Sequence, residues 1–470
     1  MAEAERTIMS DPRDVVVVGG GLAGLSAGVA LSEQGFRVAV LERRPALGGR
    51  AYSFVDPETG DEIDNGQHVL MGCYTQTLDF LRKIGSDQHL VFQDRLEIEL
   101  IAPDRRSGRL KTGFLPGPLH MVSAVMGYDL LGGGERLRLL TAGFRMLLAY
   151  RFSRRRLERM TVAELLKSLG QSSRACQRFW YPLTIATLNE EPDKACAALL
   201  VEVWRRAFFG SRRDSSFAYS EVGLSRLYCK AASDFIEQRG GIVATGAGVE
   251  KFEMDGERSI GRVRLRDGRS LEAANFICSA TPNALLAMVP GEWRTEPFFA
   301  RLGELGSSPI ICVHVWLDRD VTDCPFVGFI GTETQWLFNK RRIFGARAHD
   351  SGGYLSFVIS GARALVERSN EELLDQVLAD LHEMIPASRE AKFVKALVLK
   401  EKQATISPTC DSNQLRPTSA TPIENLFLEG DWIQTGLPPT IESAVISGRN
   451  AAEAVRKRVG RVSRIPSISI

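Results

Sequence analysis

Apolar positions along this chain keep two periods, and the change from one to the other marks its first elements. Val15–Val18 is a run of four β-branched residues that stops at Gly19, Gly20 and Gly21. β-Branching favours a strand, and three consecutive glycines break any helix there. After Gly24 the spacing becomes helical, with Leu25, Val29 and Leu31 on one side among small residues, up to about Gly35. "RVAVLE" (37–42) then reads as a second strand that finishes on Glu42. The far end repeats this grammar. "LFLEGD" (426–431) is a strand ending in Gly430–Asp431, "LPPT" (437–440) is a turn, and the next stretch is a helix with Ile441, Ala444, Val445 and Ala452 on one face. Pro439 pre-sets the helix start and Thr440 is placed to cap it.

Between these ends, residues 240–286 alternate in strand fashion, with a hairpin turn at Asp267–Gly268 and a buried strand at "FICSATP" (276–282). Residues 90–220 read as mostly helical. "TVAELLKSLG" opens with a capping box, Thr161 to Glu164, and stops at Gly170; Ser369 to Glu372 forms another. "IICVHVWLD" (310–318) and "GYLSFVIS" (353–360) read as strands.

Composition narrows the class. At 470 residues the chain predicts two or three domains, and 44% hydrophobic with 25% charged residues predicts a soluble, globular protein. A net charge of +2 gives no support to nucleic-acid binding. The eight cysteines form no CxxC pair, which excludes a zinc ribbon or a thioredoxin-type motif, and no metal site is expected. The N-terminal "MAEAERTIMSDPRD" lacks the apolar core of a signal peptide, and the expectation is a reduced, intracellular protein. Val15–Ser32 is uncharged and approaches the roughly 20 apolar residues of a membrane span, but its strand-then-glycine order argues against one.

That order gives the glycines work. Gly19, Gly21 and Gly24 match G-x-G-x-x-G: the first permits the turn, the second lets backbone approach a pyrophosphate, and the third lets helix and strand pack closely. The helix start offers free N–H groups to phosphate. Glu42, at the second strand's end, is placed to accept hydrogen bonds from a ribose, with Arg43 beside it. Gly48, Gly49 and Arg50 suit a second approach to the pyrophosphate with a cationic partner. No Ser-His-Asp set, HExxH or Walker A is present, and no second strand-linked G-x-G-x-x-G offers a nicotinamide site. A bound dinucleotide coenzyme would therefore carry the chemistry, with electrons exchanged through a separate carrier. "RFSRRRLER" (151–159) and "VRKRVGRVSR" (455–464) are basic, and the first lies beside the apolar "LLTAGFRMLLAYRF" (139–152), a pairing suited to an anionic membrane surface.

"VVVVGGGLAGLSAG", "LERRPALGGRAYS" and "GDWIQTGLPPTIESAVISG" together resemble the flavin amine oxidase and phytoene desaturase superfamily. "DNGQHVLMGCYTQTLDFL" (64–81) and "FWYPLTIATLNEEP" (179–192) narrow the resemblance to the hydroxysqualene dehydroxylases of bacterial hopanoid synthesis. The resemblance implies an amine-oxidase-like α/β fold. A discontinuous Rossmann-type FAD domain (1–90, 220–290 and 405–470) would be interleaved with an α+β substrate domain (91–219 and 291–404). It implies pyrophosphate contacts at Gly19, Gly21 and Gly24, and ribose at Glu42. Phosphates would lie near Arg43, Gly49 and Arg50, and adenine at Val249. The ribityl chain would lie at Gly430 and Asp431, and the flavin ring over Thr440 and Ile441. The implied reaction reduces hydroxysqualene to squalene with loss of water, with Asp64, His68, Trp180, Tyr181 and Glu190 as catalytic candidates. It also implies an isoprenoid lipid substrate, a separate electron donor and peripheral contact with the inner face of the cell membrane. A phytoene-type desaturase, an amine or porphyrinogen oxidase, and a non-catalytic flavin-fold membrane adaptor stay open beside it.

Overall fold

The computed structural model describes residues 13–345 and 352–462; nearly all of the polar N-terminal stretch and the end of the basic tail lie outside the described residues. In chain order the elements that build the site begin with β1 (Arg13–Val18), α1 (Leu22–Ser32), β2 (Val38–Leu41), β3 (Glu97–Ile101), β4 (Ser107–Lys111), α2 (His120–Met126) and α3 (Gly133–Phe152). Next come β5 (Ile242–Ala244), β6 (Val249–Met254), β7 (Ile260–Leu265), β8 (Ser270–Cys278), β9 (Ser307–Leu317), β10 (Phe326–Phe329) and β11 (Trp336–Asn339). The last are β12 (Gly353–Ser360), α4 (Asn370–Met384), β13 (Phe393–Ile406), β14 (Leu426–Leu428) and α5 (Ile441–Val462).

The first sheet runs β5-β2-β1-β8-β7-β6, with β14 added to β8. Its centre is parallel: β1 pairs with β2 and with the C-terminal half of β8, and β14 with the end of β8. The N-terminal half of β8 instead pairs antiparallel with β7. Val15–Val18 form the central strand and are buried throughout, as expected for a parallel strand covered on both faces. α1 packs against α5, where the Ser26 hydroxyl donates to the Val445 carbonyl at 3.2 Å. The uncharged opening stretch is thus a core strand and its helix. No helix among the described residues is long and apolar enough to cross a membrane.

The second sheet runs β13-β9-β12-β11-β10-β3-β4. Alternation along β9 splits its side chains. Ile311, Val313 and Val315 pack with Leu373, Val377 and Leu381 of α4. The opposite face carries Cys312, His314 and Trp316, and groups there meet Phe54, Ile63, Val69, Phe217 and Tyr219 from the chain after β2 and before β5. Both predicted capping boxes form, at Thr161 and Ser369.

The expectation of a mostly helical 90–220 is corrected at both ends of that range. Leu90–Phe92, β3, β4 and Phe217–Ser220 are strands. In β3 and β4, Ile98, Leu100 and Leu110 alternate with charged residues that pair across the hairpin, Arg109 with Glu99 at 3.2 Å and Lys111 with Glu97. A high charge density hid the period-two pattern.

Candidate functional site

The glycine loop is built as its spacing requires. A Cβ on Gly24 would stand 2.0 Å from the Gly19 carbonyl oxygen, so α1 reaches β1 only without a side chain there. A Cβ on Gly21 would have nothing nearer than the Gly49 Cα at 3.7 Å, so packing alone does not demand glycine at this position. Glu42 holds the loop from below: one carboxylate oxygen accepts from Gly20 N–H and the other from Arg44 N–H, each at 2.8 Å. The second glycine pair sits directly on the first, with Gly48 N–H donating to the Gly20 carbonyl at 2.9 Å. Arg50 anchors to Asp431 in an ion pair and donates to the Ala404 carbonyl at 3.0 Å. Its side chain keeps 30% exposure.

To one side of the loop, Arg43, Arg44, Gly246, Gly248 and Arg266 line a cavity of about 530 Å³. Its floor is set by two backbone bonds, Ala247 N–H to the Glu42 carbonyl at 2.8 Å and Gly246 N–H to the Arg44 carbonyl at 2.9 Å. Buried Val249 opens β6 beside it. Gly21, Gly49, Arg50 and Asp431 are the residues that would hold the phosphates and linker of an elongated dinucleotide, with its adenine end in this cavity. The loop without side chains, the flanking cavity and the anchored Arg50–Asp431 pair fit FAD.

The C-terminal wall depends on a residue that sequence reading missed. Arg416 is buried, and its guanidinium donates to the carbonyls of Asp431 (2.8 Å), Ile433 (2.6 Å) and Leu437 (2.6 Å). Burial pushes its pKa down to about 10. It gathers the turn between Gly430 and α5 into one shape. Gly430 N–H donates to the Ser447 hydroxyl at 2.8 Å, and the Thr440 hydroxyl accepts from Ser443 N–H at 3.2 Å, which caps α5 one residue before Ile441. Glu429, next to Gly430, is fully buried with no charged partner, and burial raises its pKa to about 8, the nearby Ser279 hydroxyl opposing the rise.

Of the catalytic candidates, Asp64 and His68 share one buried cluster. Asp64 accepts from Leu224 N–H at 3.0 Å and from the Lys340 ammonium at 2.8 Å; Lys340 also donates to the Gln67 amide oxygen at 2.8 Å. His68 is half-buried. Burial lowers its pKa, with nearby Lys340 adding to the fall and Asp64 opposing it. Beneath lie Tyr354 and His314, hydrogen-bonded at 3.0 Å, and burial takes His314 down to about 3.

Trp180 and Glu190 have other work. Trp180 is fully buried, donates to the Gln171 side chain at 2.8 Å, and packs edge-on to Phe179 with ring centroids 5.0 Å apart. Glu190 clasps Arg363 at 2.6 Å and accepts from the Ser407 hydroxyl. Burial alone would raise its pKa, but these partners hold it below the usual carboxylate range, so it is a charged fastener rather than an acid. Tyr181 is half-buried beside Cys176 at the start of the next helix, and burial raises its pKa. Among the described residues no cluster of side chains is arranged to hold a metal ion.

The sequence pattern of the flavin-containing amine oxidoreductase family matches residues 22–456. A 15-cis-phytoene desaturase of Synechococcus elongatus is 24% identical, over 96% of this chain and 97% of its own. A hydroxysqualene dehydroxylase of Sinorhizobium fredii is 28% identical, over 94% of this chain and 98% of its own. Among solved structures, an oxidoreductase from Methanosarcina mazei superposes with a TM-score of 0.71 at 17% identity, covering 93% of this chain and 99% of that one. A putrescine oxidase superposes with a TM-score of 0.67 at 17% identity, covering 95% and 99%.

Proposed function

The chain belongs to the flavin-containing amine oxidoreductase family and depends on FAD, and on that premise we propose that it reduces hydroxysqualene to squalene. One C–O bond breaks, its electron pair leaves on oxygen and takes up a proton as water, and a hydride closes the carbon. Bound FAD in its reduced form supplies that hydride. Electrons reach it from a separate donor, since the sequence carries no second dinucleotide motif. In this reading 1–90, 220–290 and 405–470 form the coenzyme domain, and 91–219 and 291–404 the substrate domain.

The observation that carries the reading is an aromatic cluster packed against Val69, at the end of the Asn65–Val69 turn, with Phe326 and Phe338 buried and Phe217 and Trp336 half-buried. Phe217 lies 5.9 Å from Phe326, Phe326 lies 6.0 Å from Phe338, and Phe338 stacks on Trp336 at 6.4 Å between ring centroids. Val69 and Tyr219 pack against the same cluster. A site bordered by such a cluster would suit a hydrocarbon, and aromatic faces would favour a carbon developing positive charge as the hydroxyl departs. His68, next to Val69, adds one polar group there. Its lowered pKa keeps the imidazole neutral at pH 7, able to offer an N–H to the leaving oxygen.

The surface supports access from a membrane. Among the described residues, nine of thirteen exposed large hydrophobic residues fall between Phe114 and Phe152, among them Leu119, Leu137, Phe144, Leu148 and Phe152. Leu137, Phe144, Leu148 and Phe152 share one face of α3, next to exposed Arg151, Arg155 and Arg156. We assign this face to contact with an anionic bilayer, each basic residue near it contributing about 1 kcal/mol.

The 24% identity with a phytoene desaturase over nearly the whole chain favours a second reading, dehydrogenation of an isoprenoid. Anaerobic mixing of chemically reduced protein with hydroxysqualene in anionic vesicles separates the two. Flavin reoxidation with squalene as product is expected. Failure there, with phytoene reducing the oxidised protein instead, establishes the desaturase. Phe144→Asp with Phe152→Asp should slow the vesicle reaction and spare the reaction in detergent; equal rates in vesicles remove the membrane assignment.

A further inference from the structure

Lys340 is only 1% exposed, and such a lysine is rare without a purpose. It follows β11 and is the first residue of a short helix that Asn339 caps, its side chain accepting from Arg342 N–H at 3.3 Å. The ammonium is fully occupied. It donates to Asp64 and Gln67 at 2.8 Å each, and it lies 4.1 Å above the centre of the Phe344 ring. Asp64 is equally spoken for, since its other oxygen accepts from Leu224 N–H. Burying a charge pair of this kind is weak evidence for stability, because apolar residues of similar volume do as well. Geometry is what the pair adds. It fixes both ends of the Asp64–Gln67 stretch to the end of the second sheet. The intervening Asn65 is fixed to the cradle: it donates to the Arg50 carbonyl at 3.0 Å and accepts from Tyr52 N–H at 2.9 Å. The next residue after Gln67 is His68.

We propose that Lys340 is a positioning residue for the reaction: clamped between Asp64 and Gln67, it holds the Asn65–His68 turn, which Asn65 ties to the Arg50 backbone, and so sets where the His68 imidazole stands. The proposal rests on the dehydroxylase reading only for its kinetic test. Its neighbour gives a built-in comparison. Arg341 makes a similar buried pair with Asp61, 3.0 Å from one carboxylate oxygen, and that oxygen also accepts from the Trp316 indole at 2.8 Å. Arg341 does not touch the turn that ends in His68.

The test compares Lys340→Met, Lys340→Arg and Arg341→Met as FAD-loaded proteins. The first readout is the visible absorption and circular dichroism of the bound flavin, which needs no substrate. Lys340→Met is expected to retain FAD while shifting these bands, Lys340→Arg to restore them in part, and Arg341→Met to lower Tm and leave them unchanged. The second readout is flavin reoxidation by hydroxysqualene. It should fall at least tenfold in Lys340→Met with the half-saturating concentration changed less than twofold. Flavin bands identical to wild type in Lys340→Met overturn the proposal. So do equal band shifts in Lys340→Met and Arg341→Met, which would mark general loosening. Should Lys340→Met fail to fold, Gln67→Leu removes one clamp and keeps the ion pair, and unchanged bands in it overturn the proposal as well. A wild-type protein inert to hydroxysqualene defeats the function reading alone and leaves the spectral result standing.

Discussion

The two seven-stranded sheets solve opposite problems. At the carboxyl ends of the first, the candidate site is made mainly of backbone: a loop cleared of side chains at Gly21, carbonyls gathered by Arg416, and the start of α1 with no side-chain cap. On the inner face of the second, the site is made of side chains from strands far apart in sequence, His314 and Tyr354 beside Lys340 and Asp64. A backbone site tolerates almost no added volume, whereas a side-chain site fails through lost partners. The sharpest way to break this contrast is Gly24→Ala. Its methyl would meet the Gly19 carbonyl at 2.0 Å, and the two backbones must separate. Overpacking of this kind costs about 3 kcal/mol, or about a hundredfold in coenzyme affinity if the strain falls on the loop. The visible flavin absorbance per purified chain should be nearly lost while far-ultraviolet circular dichroism survives. Full flavin content would mean the loop is not the cradle.

The same contrast explains what was readable in the sequence. A backbone site needs residue types at fixed local spacing, so Gly19, Gly21 and Gly24 announce it, as do Gly48–Gly49 and the Gly430–Asp431 strand end. Capping boxes are equally local, and both formed. Side-chain sites gather single residues. Lys340 opens the run Lys340-Arg341-Arg342, which looks like a solvated charged surface, yet two of its members are buried against Asp64 and Asp61. Trp180 and Glu190 stood in the family-like segment and were read as chemistry, but long-range packing gives them a core and a clasp. β3 and β4 were missed because their outward charges pair with each other across the hairpin. The aromatic cluster combines Phe217, Phe326 and Phe338, residues brought together only by strand order.

Arg416 tests where the two designs overlap, since here one side chain organises backbone. Arg416→Met would leave the carbonyls of Asp431, Ile433 and Leu437 unpaired in a buried place, at about 1–3 kcal/mol for each one that finds no water. We expect a clear loss of Tm and coenzyme affinity at least tenfold weaker. Arg416→Lys should recover little, because one ammonium cannot span carbonyls arranged for a planar fork. Flavin titration of the two variants checks this, and wild-type affinity in both would show that the turn between Gly430 and α5 holds its shape unaided.

A pH titration separates paired from unpaired charge. Against the second sheet Asp61 and Asp64 are matched by Arg341 and Lys340. In the first, Glu429 is fully buried without a charged partner, one residue before Gly430. Burial raises its folded pKa to about 8, above the ordinary 4.5 it regains on unfolding. The folded chain therefore holds this proton more tightly than the unfolded one. The stability this contributes is fully present below about pH 4.5 and is lost as pH rises through about 8. Across that window the loss approaches about 1.4 kcal/mol per pH unit. Glu429→Gln keeps the shape and removes the titration. Wild-type Tm should fall by several degrees more than that of the variant between pH 6 and pH 9, the two curves converging in acid. Parallel curves would mean that Glu429 finds a partner on ionising, and that the first sheet, like the second, leaves no buried charge unmatched.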